Sequence, residues 1–216
     1  MNVFMKNRYL LFFIIIVLFI LLPSFISNYP FIKLIIVSGL LSVLLFQSVV
    51  VIFRLKGYKI FAIIFGSLTL LIYWFVFIYP YEIKLLLAAA DLLFFLFFIF
   101  ITILLIKLLV KSKKVGKDTI MIACIIYFLF GIIGGFVFEL CYYLIPGALD
   151  MPEDISVAVS DFIYFSFTTM TTIGYGDITP SVPQTKAISI VLSVIGQLYL
   201  AIVVAILIGT YLKRSK

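Results

Sequence analysis

Six apolar runs, each long enough to cross the hydrocarbon of a bilayer, take up most of this chain: Tyr9 to Ile26, Phe31 to Phe53, Tyr58 to Ile78, Ile83 to Val110, Thr119 to Leu144 and Thr185 to Leu212. Crossing about 30 Å of lipid takes roughly 20 residues of helix. Lipid offers no partner to a backbone N–H or C=O, so each run must satisfy its own hydrogen bonds and is read as an α-helix. A water-soluble fold is excluded, because 66% of the 216 residues are apolar and only 12% are charged, too few to cover a wetted surface. The chain has no histidine, and Cys124 and Cys141 stand in one helical run, about 25 Å apart along its axis. Histidine-based catalysis, a Cys/His zinc site and an intrachain disulfide are therefore not available. The first run follows Lys6 and Arg8, but Pro23 to Ser27 contains no small-x-small cleavage site, so the run is read as a retained helix.

The charges orient the helices. Thirteen of the sixteen basic residues fall at the two ends and in the second and fourth connections, among them Arg8, Lys59, Lys107, Lys111 and Lys117; Lys33, Lys84 and Lys186 lie in the others. The positive-inside rule then predicts a multi-pass protein of the cell membrane with both termini in the cytoplasm and lipids as its surroundings. That asymmetry accounts for the net charge of +7, and no nucleic-acid partner is expected.

The long connection from Pro146 to Pro183 lies outside and carries the unusual chemistry. Met151-Pro152-Glu153-Asp154 reads as a helix entrance, and Ile155 to Thr171 is apolar but too short to span, which predicts a helix that dips into the membrane and turns back. After it stands Thr172-Ile173-Gly174-Tyr175-Gly176-Asp177. Non-helical backbone at membrane depth is tolerated only where it is buried in protein or lines a water-filled path. To replace the water of a desolvated cation, successive carbonyls must face one axis, and Gly174 and Gly176 supply backbone angles that a Cβ resists. The carbonyls of Thr172, Ile173, Gly174 and Tyr175 would form the ladder, Thr172 would add a hydroxyl at its inner end, and Ile173 and Tyr175 would point away from the axis.

At these residues the chain resembles the potassium channel family, whose filter signature Thr-x-Gly-Tyr-Gly-Asp stands unaltered as Thr172 to Asp177. The resemblance extends from Thr119 to Leu212 as outer helix, pore helix, filter and inner helix. It implies an all-α membrane protein with six transmembrane helices plus a re-entrant pore helix and filter loop. Residues 1–117 would form a four-helix membrane domain and residues 118–216 the pore domain, and four identical chains would assemble around one pore. Potassium would be the transported ion, bound at Thr172, Ile173, Gly174 and Tyr175, with no cofactor and no enzymatic activity. Tyr164 and Phe165 stand where the best-known members have a Trp pair, so a bond from Asp177 would need the Tyr164 hydroxyl. Glu139 matches an acidic residue that braces the pore loop, with a solvated surface carboxylate as the plain alternative. Gly196 falls where the family often has a hinge, although glycine also serves as a packing residue in membrane helices. By the same register Gln197 faces the central cavity, or else bonds to a neighbouring helix.

The fourth helix departs from the voltage-gated branch. It carries Lys84 and Lys107 at its ends, Asp91 within it and no arginine. Asp91, an intramembrane carboxylate, is a functional candidate or a hydrogen-bonded structural residue. Asp150, Glu153, Asp154 and Asp177 surround the mouth and would either concentrate cations or form a solvated rim. Three other readings remain open: a weakly selective cation channel, a potassium uptake transporter, and a nonconducting subunit that needs an unidentified partner. Since one gating charge gains only about 2.3 kcal/mol from 100 mV, the missing arginines predict weak voltage dependence. Single-channel records should show a shallow change of open probability with voltage; steep gating by several charges per subunit would contradict it.

Overall fold

Helix after helix begins and ends within about two residues of where the hydrophobic runs do. The computed structural model describes residues 7–26, 30–55, 57–78, 84–112, 116–152 and 158–212. Its helices are α1 (Arg8–Phe25), α2 (Pro30–Val51), α3 (Lys59–Ile78), α4 (Lys84–Val110), α5 (Lys117–Leu144), α6 (Val159–Met170) and α7 (Pro183–Leu212), with a 3-10 turn at Ile52–Arg54. Among the described residues α3, α4, α5 and α7 are long and apolar enough to cross a membrane. The apolar stretches of α1 and α2, Arg8–Pro23 and Ile35–Val51, are shorter.

The N-terminal helices share their core with the outer helix of the pore half. α1 packs on α2 and on α5, and α4 folds back on α5 over the short connection at 111–116. This antiparallel hairpin is filled by buried Phe94, Phe97, Phe98 and Phe136, with the Phe94 and Phe136 rings stacked 5.1 Å apart. Polar groups inside the bundle find local partners, as helices in lipid require. Ser38 Oγ and the Tyr73 hydroxyl bond at 2.8 Å, and the Trp74 indole N–H donates to Ser42 Oγ at 3.1 Å. Lys107 Nζ sits 5.4 Å from the centre of the Tyr58 ring.

The pore half is built on close approach. α6 lies against one face of α5 where Gly131, Gly134 and Gly135 leave room for it. A Cβ at Gly131 would strike the Phe167 ring, one at Gly134 would strike Ser166 Oγ, and one at Gly135 would stand 2.9 Å from the Ile163 Cα. Ser166 Oγ donates to the Gly131 carbonyl at 2.6 Å, so the same contact is also pinned. On the other side α7 runs unbroken through Gly196, which lies directly against the Met170 carbonyl at the end of α6. Ser193 Oγ donates to the Thr169 carbonyl at 2.9 Å, and the Tyr199 hydroxyl donates to the Ala123 carbonyl of α5 at 2.7 Å.

Two features differ from the sequence reading. The described pore helix starts at Val159 rather than at Met151 to Asp154; Glu153 and Asp154 lie outside the described residues. The helix start is satisfied from within, because Asp161 Oδ2 accepts the Ala158 N–H at 2.9 Å. The all-α expectation also omits a small ribbon, β1 (Leu149–Asp150) paired antiparallel with β2 (Thr179–Pro180). Ala148 closes it, its carbonyl accepting the Ser181 N–H at 3.1 Å and the Thr185 hydroxyl at 2.8 Å. The ribbon joins the two ends of the pore loop, so residues 149–150 are held as strand rather than helix.

The seat of α6 can be tested with one methyl group. Gly135→Ala puts a Cβ against main chain that cannot rotate aside, and overpacking of this kind costs about 1–3 kcal/mol. Gly39→Ala, where nothing lies within 4 Å, should be neutral or gain up to about 1 kcal/mol from helix propensity. Thermal unfolding of the purified protein in detergent should therefore fall for the first variant and not for the second.

Candidate functional site

At the C-terminus of α6 the chain leaves the helix by reversing the sign of φ. Thr171 is still near the helical region at φ −83°, and Thr172 follows at φ +61°. Positive φ then recurs at every second residue, at Gly174 (+55°) and Gly176 (+83°), while Ile173 and Tyr175 keep negative values. In an ordinary strand successive carbonyls point to opposite sides. Alternating the sign of φ turns them toward the same side, and glycine allows this without a steric penalty.

The hydrogen bonds fit that arrangement. The Ile173 and Gly174 N–H groups both turn back to the Thr168 carbonyl, at 2.9 and 3.2 Å, and the Thr172 N–H donates to the Thr169 carbonyl at 3.0 Å. Among the described residues nothing donates to the carbonyls of Thr172, Ile173, Gly174 or Tyr175. A row of backbone acceptors without donors needs water or a cation. The end of α6, which carries the negative pole of the helix dipole, adjoins the inner end of this row.

Thr172 is the residue that sequence reasoning understated. A side chain in the left-handed region costs about 1–2 kcal/mol. Its hydroxyl donates to the Thr171 carbonyl at 2.6 Å and accepts a 3.5 Å bond from Gln197 Nε2 on α7. The available signal was the spacing, since 172, 174 and 176 continue one alternation. Gln197 is thus an exposed side chain directed at the foot of the filter, and Gly196 beside it is a position of close packing against α6.

At the outer end the Tyr164 hydroxyl donates to Asp177 Oδ2 at 2.7 Å, and the Tyr164 and Tyr175 rings lie parallel, 6.5 Å apart. Phe165 is buried against Phe138, with ring centroids 4.6 Å apart. Ile173 and Tyr175 stay 56% and 72% exposed on the single chain, which leaves the back of the filter strand uncovered. Of the acidic mouth residues, Asp150 and Asp177 are described and exposed.

Glu139 is not a surface carboxylate. It is buried on α5, with Oε1 accepting a long 3.4 Å bond from the Tyr143 hydroxyl. Asp91 is buried on α4.

These elements are two long helices enclosing a short helix and a strand whose carbonyls have no donor among the described residues. Residues 122–213 match the family described as ion channel. The chain is also similar to potassium voltage-gated channel subfamily A member 10 of Mus musculus and of Homo sapiens. Each is 31% identical over 87 residues, which are 40% of this chain and 16% of the relative. It is also similar to two pore potassium channel c of Oryza sativa subsp. japonica, 42% identical over 55 residues, which are 26% of this chain and 12% of that relative. These matches make part of the chain similar to ion channels and to potassium channels, over less than half of its length and less than a fifth of theirs. No solved structure matches it.

The Tyr164–Asp177 bond generates a direct test. Tyr164→Phe keeps the ring that lies parallel to Tyr175 and removes only the donor, a loss of about 1 kcal/mol for a partly wetted bond. Flux through the variant should decline several-fold faster during sustained conduction than through the wild type. Equal decay would mean that the bond does not support the filter.

Proposed function

We propose that the chain is one subunit of a passive, potassium-selective channel, conducting through the backbone from Thr172 to Tyr175. The observation that carries this reading is the row of four carbonyls that lack donors while their neighbouring amides turn back onto α6. One chain supplies one such strand. A cage around a cation needs strands on all sides, so the reading is of four identical subunits around one axis. The exposed faces of Ile173 and Tyr175 are surfaces that neighbouring subunits would cover.

In this reading α1 and α2 also span the bilayer, giving six crossings and cytoplasmic termini, with the basic residues inside. The four-helix domain contributes no arginine sensor and acts as a packed flank of the outer helix rather than as a voltage detector. Potassium ions are the cargo, and lipids and further copies of the chain are the partners. The acidic mouth at Asp150 and Asp177 raises the local cation concentration.

Carbonyls repay the loss of water from potassium more fully than from sodium, whether through cavity size or field strength. Purified protein in liposomes should therefore give a reversal potential that follows the potassium gradient in mixed sodium and potassium. Gly176→Ser places a Cβ at φ +83°, a cost of about 1–2 kcal/mol per subunit, and should admit sodium. A wild-type reversal potential that follows sodium equally would favour a nonselective cation channel. A silent but correctly assembled protein would favour a subunit that needs a partner.

A further inference from the structure

The four-helix domain meets the pore half along α4 and α5, and that contact contains two carboxyl groups that the ion path does not use. The two helices run antiparallel, and the rings of Phe94 and Phe136 stack across the contact, 5.1 Å apart and 4° from parallel. Asp91 stands three residues before Phe94, and Glu139 stands three residues after Phe136. Residues three apart share a helix face, so the antiparallel register that pairs the two rings also sets Asp91 opposite Glu139. Both are buried, with 8% and 3% of their surface exposed. Asp91 Oδ2 and Glu139 Oε2 have no hydrogen-bond partner among the described residues. No cationic side chain among those residues acts on either group.

Two ionised carboxylates cannot face each other in a dry contact, because repulsion and desolvation act together. A single proton removes the repulsion and halves the buried charge: one carboxyl donates a short O–H···O bond to the other, both bare oxygens are satisfied, and the remaining negative charge is spread over the pair and the Tyr143 hydroxyl. We propose that Asp91 and Glu139 share one proton per subunit, forming a proton-binding site that fastens the four-helix domain to the outer helix behind the pore helix. Three other titratable groups face the pair. Tyr143 on α5 reaches Glu139 at 3.4 Å, Tyr73 on α3 has its hydroxyl bonded to Ser38 at 2.8 Å, and Asp161 on α6 is engaged by the Ala158 N–H at 2.9 Å. Tyr73 and Asp161 each have their own partner, so neither displaces the shared proton. Titration belongs to the pair rather than to either residue. Alkaline solution removes the proton, sets two negative charges face to face and drives α4 from α5. Since α5 is also the seat of α6, the disturbance reaches the filter.

The site stands on geometry, and only its effect on flux rests on the channel reading. Infrared difference spectra of the full chain in lipid vesicles should show a protonated-carboxyl band at neutral pH that shifts in deuterium oxide and is lost on alkaline titration. Asp91→Asn and Glu139→Gln should each abolish it, because the amide then supplies the donor. Absence of the band in the wild type, or its survival in either variant, overturns the proposal. If a variant fails to assemble, Asp91→Glu keeps the proton and should move the band; a band that does not move lies elsewhere and overturns the proposal equally. Potassium flux should fall in alkaline solution for the wild type and stay level for Asp91→Asn. A band that behaves as expected in protein that passes no potassium at any pH supports the proton site and overturns the channel reading instead.

Discussion

How closely α6 can approach α5 decides the geometry of the pore half. The filter amides bond back to the Thr168 carbonyl near the end of α6, so the filter goes where that helix goes. Its position is set by Gly131, Gly134 and Gly135 on one side and Gly196 on the other, each leaving space that a Cβ would fill. Membrane helices have little hydrophobic drive to associate, because lipid is as apolar as a leucine side chain, and they rely instead on close packing and on polar pairs. Both are present here. Ser166, Ser193 and Tyr199 place hydroxyl bonds beside the glycine contacts.

That rigid setting lets the filter hold a conformation it would not adopt alone. Carbonyls without donors and a threonine at φ +61° are each unfavourable in isolation. They persist because the surroundings over-determine them, through the Tyr164–Asp177 bond at the outer end and the Thr168, Thr171 and Gln197 contacts at the inner end. The four-helix domain adds support at a greater distance. Its aromatic contact with α5 holds the outer helix from behind, and the buried carboxyl groups sit at the edge of that contact.

The helix boundaries and the positive φ at Gly174 and Gly176 were legible in the sequence, since both are local: apolar length specifies a helix, and glycine at alternate positions allows those backbone angles. Three features were not legible. The ribbon pairs Leu149 and Asp150 with Thr179 and Pro180 thirty residues away, a contact that two-residue strands do not announce. The left-handed Thr172 depends on the same alternation as the glycines but lacks their signature. Gly196 reads equally as hinge or packing position in sequence, and only the Met170 carbonyl against it distinguishes the two.

By itself the sequence determined a membrane chain of apolar helices, because the bilayer imposes length and backbone satisfaction on any segment within it. It also determined which backbone could face a cation, because only glycine adopts positive φ freely. Tertiary structure alone decided that Glu139 is buried rather than wetted, and that the glycines of α5 seat a helix rather than bend one. Those outcomes depend on which helix faces are brought together, and the apolar faces of this chain are too uniform for periodicity to specify the pairing.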